Sequence, residues 1–77
     1  MQLLPIVKSQ FSLLSLSERT IVRLVGHGNS TKDIADLLSL SSRTIEKHRA
    51  NIIAKLNLPK EKNSLAIWAK ENIEFLI

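Results

Sequence analysis

Apolar residues recur at helical spacing in four consecutive segments of the chain. Ser15 precedes the first segment and Glu18 follows three residues later, which is the spacing of a capping box. The glycines at 26 and 28 end this first helix. The stripe that the helix is expected to bury consists of Ile21, Val22, Leu24 and Val25.

The second and third segments are separated only by a short Ser-rich turn. Ser30 is the predicted cap of the second helix, and Asp33 lies in its first turn, where the helix dipole favours a carboxylate. Ser41 caps a third helix that runs to about Leu56, because Pro59 prevents its continuation. The residues that the second helix is expected to bury are Ile34, Ala35, Leu37 and Leu38.

A fourth helix begins near residue 63 or 64, carries Leu65, Ile67, Trp68 and Ala69, and continues to about Ile73. With two Gly, two Pro and no strand-like alternation, the chain is predicted to be all-α, a four-helix bundle that contains a helix-turn-helix. Residues 1–13 form an N-terminal arm or linker, and residues 14–77 form the domain. At 77 residues it is near the lower limit for a self-supporting core, which favours dimerisation.

The spacing across the second and third helices is that of a helix-turn-helix. Ala35 is the small residue that lets the two helices cross closely, while Leu38, Leu40 and Ile45 are the apolar contacts that fix their angle. Ser39 lies at the turn position where a left-handed backbone is often required. If the backbone is left-handed there, Ser carries a cost of about 1 kcal/mol.

The third helix divides into two faces when residues are placed about 100° apart around its axis. Ile52 and Leu56 return to within about 20° of Ile45, so these three residues mark the buried stripe. Basic and small side chains on the opposite side, with Lys47 the strongest candidate, suit a major groove, where Lys donates to guanine O6 and N7. Glu46 accepts from cytosine N4 or else repels phosphate. The predicted base-contacting residues are Arg43, Glu46, Lys47, Ala50 and Asn51.

Charge supports a polyanion as partner. The formal net charge of +4 is supplied entirely by residues 43–62, where six basic residues stand against two acidic ones. Residues near helix ends are placed to contact the phosphate backbone of double-stranded DNA. The backbone-contacting residues predicted on this ground are Thr31, Lys32, Ser42, Thr44 and Lys55. His48, about 60° from the buried stripe, is predicted to be either structural or phosphate-contacting.

Composition excludes several other classes. There is no cysteine, the two histidines have no ligand at chelating spacing, and the serines are caps without a triad-like arrangement. We therefore expect no catalytic residue, no metal and no cofactor, and the chain is not predicted to be an enzyme. No apolar run approaches the ~18–20 residues of a membrane span, and no signal peptide is evident, so a cytoplasmic location is expected.

The stretch from Leu14 to Leu56 resembles the LuxR/FixJ (GerE-type) DNA-binding domain. It carries Leu-Ser-x-x-Glu-Arg, then Ser-Thr-Lys-Asp-Ile-Ala, then Ser-x-x-Thr-Ile-Glu-x-His-Arg-x-Asn-Ile-x-x-Lys-Leu. The resemblance implies a four-helix fold, transcriptional regulation and a homodimer formed through the fourth helix, with RNA polymerase or another regulator as further candidate partners. The candidate dimer residues are Leu65, Trp68 and Ala69, although packing in the core is the favoured explanation of Trp68.

The chain departs from that family's pattern at three places: relatives commonly carry Glu at Thr20 and Gly at Asn57, and the loop 59–62 is about one residue longer here. Only 13 residues precede the domain, too few for a sensor, so the chain is either a standalone regulator or a fragment of a larger one. Two other functions stay open. One is a sigma-factor-like promoter-recognition domain, and the other is an anti-activator that binds proteins instead of DNA.

Overall fold

A computed structural model describes residues 11–61, 63–72 and 74 of the chain. The described residues form four α-helices and no strand, which confirms the predicted all-α architecture. Residues 1–10 of the predicted arm and the predicted end of the fourth helix at Ile73 lie outside the described residues. The helices are α1 (Leu16–Gly26), α2 (Thr31–Leu38), α3 (Ser42–Lys55) and α4 (Ser64–Glu71).

Side-chain caps start the first three helices where the sequence predicted them. In the capping box of α1, the Ser15 amide donates to Glu18 Oε1 at 2.9 Å and the Glu18 amide donates to Ser15 Oγ at 3.2 Å. Ser30 and Asp33 form a second reciprocal box at α2, where the sequence had predicted only the Ser30 cap. Ser41 Oγ accepts from an amide in the first turn of α3. Each cap satisfies N–H groups that would otherwise lack partners.

The core lies where α1 meets α3 and α4. α1 packs most extensively on α4 and also on α3, while α2 packs mainly on α3. Among the four residues predicted to form the buried stripe of α1, Leu24 alone is partly exposed. The buried apolar residues are Leu14, Ile21, Val22, Val25, Ile34, Ala35, Ile45, Ile52, Leu56, Leu65 and Ala69.

Two apolar residues of the helix-turn-helix are less buried than predicted. Leu37 is 61% exposed, so its place in the buried stripe of α2 was wrong. The stripe of this eight-residue helix that faces the other helices is centred on Ile34 and Ala35, and Leu37 lies beyond its edge. Leu40 is 43% exposed and lines a groove beside Leu38, so it covers the edge of the core and is not buried within it.

The turn between α2 and α3 is left-handed at Ser39, the conformation that the sequence analysis considered for this position. Ser39 has φ 57° and ψ 42°, and the Leu40 amide donates to the Ala35 carbonyl at 2.9 Å. Asn57 ends α3 in the same conformation, with φ 55°. Asn tolerates this region better than Ser, which explains why Asn57 can stand where the resemblance expects Gly.

Candidate nucleic-acid interface

α3 has the two faces that its sequence predicted. Ile45, Ile52 and Leu56 are buried beneath it. On the other side, six exposed residues form what we call the outer face. They are Arg43, Glu46, Lys47, Ala50, Asn51 and Ala54, and they include every predicted base-contacting residue.

The outer face combines small side chains with two long cationic ones. Ala50 and Ala54 keep the middle and end of the helix low, whereas Arg43 and Lys47 extend from its first half. A helix with its side chains is about 10–12 Å across, and the major groove is about 12 Å wide. Small side chains along the contact line therefore let the helix backbone approach the bases. Glu46 is the one acidic side chain among the six outer-face residues.

The predicted backbone-contacting residues fall into two groups. Lys32, Ser42 and Lys55 are exposed. Thr31, Thr44 and His48 are partly buried.

Two of the partly buried residues have protein neighbours of their own. Thr44 Oγ1 accepts from the Ser41 hydroxyl at 2.9 Å, so it takes part in the cap of α3. His48 lines a groove of about 250 Å³ with Leu38 and Leu40, on the flank of α3 that faces α1. Thr44 is thus held by a hydrogen bond, and His48 lies beside α1 at the edge of the outer face.

Lys55, a predicted phosphate-contacting residue, forms an ion pair within the protein. Its Nζ lies 2.8 Å from Glu18 Oε1, and the Glu18 side chain is only 7% exposed while that of Lys55 is 42% exposed. Burial raises the pKa of the Glu18 carboxyl, but the hydrogen bond from Lys55, the Ser15 amide and the charge of Lys55 together lower it below its ordinary value. The ion pair joins the first turn of α1 to the last turn of α3.

Sequence reasoning missed this pair because the capping box accounted fully for Glu18. Only the fold brings Lys55 to that carboxylate, 37 residues along the chain. Since Glu18 neutralises its ammonium group, Lys55 contributes less to the positive field than the sequence implied.

Three further basic residues, to which the sequence analysis gave no role, line cavities. Lys60 lies in an open groove of about 480 Å³ with Ala50 and Ala54, next to the outer face. Arg49 and Lys70 line a second cavity on another flank of α3. Burial lowers the pKa of the Arg49 guanidinium, which stays protonated at any physiological pH. Arg49 lies about 40° from the Ile45 stripe on a helical wheel, the one signal that pointed to partial burial.

The dimer residues predicted on the fourth helix are corrected by their burial. Leu65 and Ala69 are buried within the single chain, mainly between α4 and α1, so they offer no surface to a partner. Trp68 is partly buried and packs against the core, in line with its core alternative. Ile67 is 56% exposed and is the large apolar residue that α4 presents to solvent.

Comparison with known proteins assigns the family. The sequence profile of the bacterial regulatory proteins of the luxR family matches residues 12–69. The chain belongs to the luxR family. Its members are regulatory proteins, not enzymes. This match covers all four helices except the last residues of α4.

Individual proteins are similar to between 58% and 84% of this chain. The oxygen regulatory protein NreC of Staphylococcus epidermidis is 42% identical over 67 residues, which are 84% of this chain and 30% of that protein. The fimbriae Z protein of Salmonella typhimurium is 49% identical over 45 residues, which are 58% of this chain and 21% of that protein. A putative HTH-type transcriptional regulator of Mycobacterium tuberculosis is 50% identical over 46 residues, 60% of this chain and 5% of that protein.

The luxR-family chain thus spans less than a third of these relatives. No solved structure gives a significant match. In the part of the chain that the structure describes, no helix is both long and apolar enough to cross a lipid bilayer. Among the same residues, no group of three or more His, Cys, Asp or Glu side chains converges as a metal site would require.

Proposed function

We propose that this chain is a sequence-specific DNA-binding module of a bacterial transcription regulator, with α3 inserted into the major groove. The observation that carries the proposal is the division of α3 into a buried stripe and an opposite face that is exposed, cationic and narrow. The buried stripe fixes the helix on the domain, and the outer face is free to meet base edges. The cytoplasm, where bacterial DNA lies, is the compartment that this function requires.

Each outer-face residue has a proposed role. Lys47 donates to guanine O6 and N7, Arg43 contributes a guanidinium at the start of the helix, and Glu46 accepts from cytosine N4. Ala50 allows close approach, and Asn51 contacts a base or phosphate at the edge of the groove.

Phosphate contacts are proposed at the start of α2 and along the edge of α3. They involve Thr31, Lys32, Ser42, Thr44 and His48. Lys55 is a further candidate through the N–H donors of its ammonium group that do not bind Glu18, since its side chain is 42% exposed.

The proposed active form is a homodimer on an inverted repeat, joined through α4. The exposed Ile67, with the accessible part of Trp68 beside it, supplies the apolar surface for that contact, while Leu65 and Ala69 support it from the core. Two such domains related by a twofold axis would place their third helices about 10 bp apart. An Ile67→Lys variant should then stay folded, lose the dimer on DNA in sedimentation velocity, and occupy single half-sites.

Selection of bound duplexes from a random DNA pool tests the function directly. We expect enrichment of a short inverted repeat, with affinity that falls steeply as salt increases, because several phosphate contacts release counterions. Failure to bind random duplex DNA even at low salt would refute the proposal.

A protein-binding module is the second candidate, and Glu46 favours it. The exposed carboxylate of Glu46 repels the phosphates of DNA, and the exposed Leu37 and Leu40 offer apolar contacts to a protein. Such an anti-activator would bind another regulator and would show little affinity for duplex DNA. A Glu46→Gln variant separates the two: it should shift base preference in a DNA reader and leave DNA binding negligible in an anti-activator.

A further inference from the structure

A cavity of about 230 Å³ opens where the loop before α2 meets α3 and α4. Its polar walls include Ser30 and Thr31 from the start of α2, Arg49 from α3 and Lys70 from α4. No Asp or Glu is among the described residues that line it. Two cations from different helices therefore share one concave space without a carboxylate to balance them.

Arg49 is the unusual member of this group. It is partly buried, and within the described part of the chain its guanidinium makes no hydrogen bond or ion pair. Its five N–H donors have a planar arrangement that suits carboxylate and phosphate oxygens. A half-buried guanidinium that lines the same cavity as a second cation is stabilised when an anion enters that cavity.

We propose that this cavity binds a phosphate group, with Arg49 and Lys70 as its cationic ligands and the hydroxyls of Ser30 and Thr31 as further donors. The volume equals that of several water molecules at about 30 Å³ each, enough for a tetrahedral phosphate. Ser30 Oγ accepts from the Asp33 amide and keeps its own proton to donate.

Two sources supply that chemistry: a backbone phosphate of bound DNA, or free inorganic phosphate. Thr31 forms a wall of the cavity and lies at the start of α2, where the DNA backbone is expected to pass. The DNA source therefore rests on the proposed function, whereas the free-phosphate source does not.

The first arm measures thermal unfolding in inorganic phosphate and in chloride at equal ionic strength. Phosphate raises the midpoint of most proteins by exclusion from their surface, so a reference variant is essential. Arg23→Gln removes one cation from α1, away from the cavity, and serves as that reference. Wild type and Arg23→Gln should gain at least about 2 °C more from phosphate than Arg49→Gln or Lys70→Gln gains.

The second arm measures DNA affinity against salt concentration for the same four proteins. If a DNA phosphate fills the cavity, Arg49→Gln and Lys70→Gln should each reduce the slope of log K against log salt by part of the roughly 0.9 that one neutralised phosphate contributes, and Arg23→Gln should leave it unchanged. Because Lys70 is exposed on α4, Lys70→Gln decides the result should Arg49→Gln fail to fold.

If Arg49→Gln and Lys70→Gln lose the additional rise in unfolding midpoint that phosphate causes, the cavity binds free phosphate. If they reduce the slope of log K against log salt, a DNA phosphate occupies it. Variants that match Arg23→Gln in both arms would overturn the inference, even if the wild type binds DNA well. A wild type that binds no DNA refutes the proposed function instead, and the first arm then decides the cavity by itself.

Discussion

Lys55→Ala should destabilise the domain, because it leaves the buried carboxylate of Glu18 without its ion-pair partner. Glu18 is 7% exposed in its side chain and would keep only the capping bond from the Ser15 amide at 2.9 Å. Charged groups that lose their partner in a buried position retain the full cost of desolvation. The variant therefore measures mainly the cost of leaving the buried Glu18 carboxylate unpaired, and less the attraction between the two charges.

The magnitude follows from how deeply each partner is buried. Breaking a fully buried pair from one side costs about 3–5 kcal/mol. Because Lys55 is 42% exposed, water can enter when its side chain is shortened and screen the carboxylate, so we expect about 2 kcal/mol. A domain of this size has a free energy of unfolding of about 4–12 kcal/mol. Its melting temperature should accordingly fall by about 10 °C.

Urea denaturation of three variants provides the assay. Glu18→Gln should cost less than Lys55→Ala, because Gln still supports a capping box and the freed ammonium group reaches water. The double variant Glu18→Gln/Lys55→Ala should be more stable than Lys55→Ala alone. A double variant that is less stable than either single one would refute the reasoning, as would a loss below about 0.5 kcal/mol for Lys55→Ala.

The stability difference should also depend on pH in one direction. The pKa of Glu18 in the folded protein lies below its ordinary value of 4.5, so the carboxylate stabilises the fold above that pH. This contribution is lost as the pH falls through the lowered pKa. The gap between wild type and Lys55→Ala should be full at neutral pH and should narrow in acid, and a gap that is constant with pH would contradict the ion pair.

Three further outcomes are expected. Lys47→Ala should weaken specific DNA binding by about 1–3 kcal/mol and relax the preference at one base pair, as measured by sequence selection. An unchanged base preference would show that Lys47 does not contact a base. Ser39→Gly should stabilise the domain by about 0.5 kcal/mol in urea denaturation, because relief of left-handed strain exceeds the added chain entropy, whereas Asn57→Gly should have a smaller effect. Ile45→Ala should cost about 2–5 kcal/mol of unfolding free energy in urea denaturation, and a loss below about 1 kcal/mol would show that the stripe is not what holds α3.

The sequence predicted those parts of the structure that depend on short-range chemistry. Ser15, Ser30 and Ser41 cap helices because a hydroxyl and an amide three residues apart meet in any helix start. The two faces of α3 follow from the helical period alone. Both need only the local chain, so no knowledge of the fold was required.

The errors concern surfaces that only tertiary packing defines. Leu37 and Leu65 both lie in apolar stripes, yet only Leu65 is buried, because α1 packs extensively on α4 and little on α2. Lys55 could not be paired with Glu18 from the sequence, since the partner depends on how α3 crosses α1. The cavity beside Arg49 likewise exists only where three elements converge.

The extensive packing of α1 on α4 has a consequence for how the domain folds. The contacts between α2 and α3 are local in sequence, whereas those between α1 and α4 close a long loop and cost more chain entropy. We therefore expect the helix pair α2–α3 to form early and the closure of α1 on α4 to complete folding. A chain shortened before Ser64 would lose Leu65 and Ala69 from the core, so we expect the helix-turn-helix not to fold when it is excised.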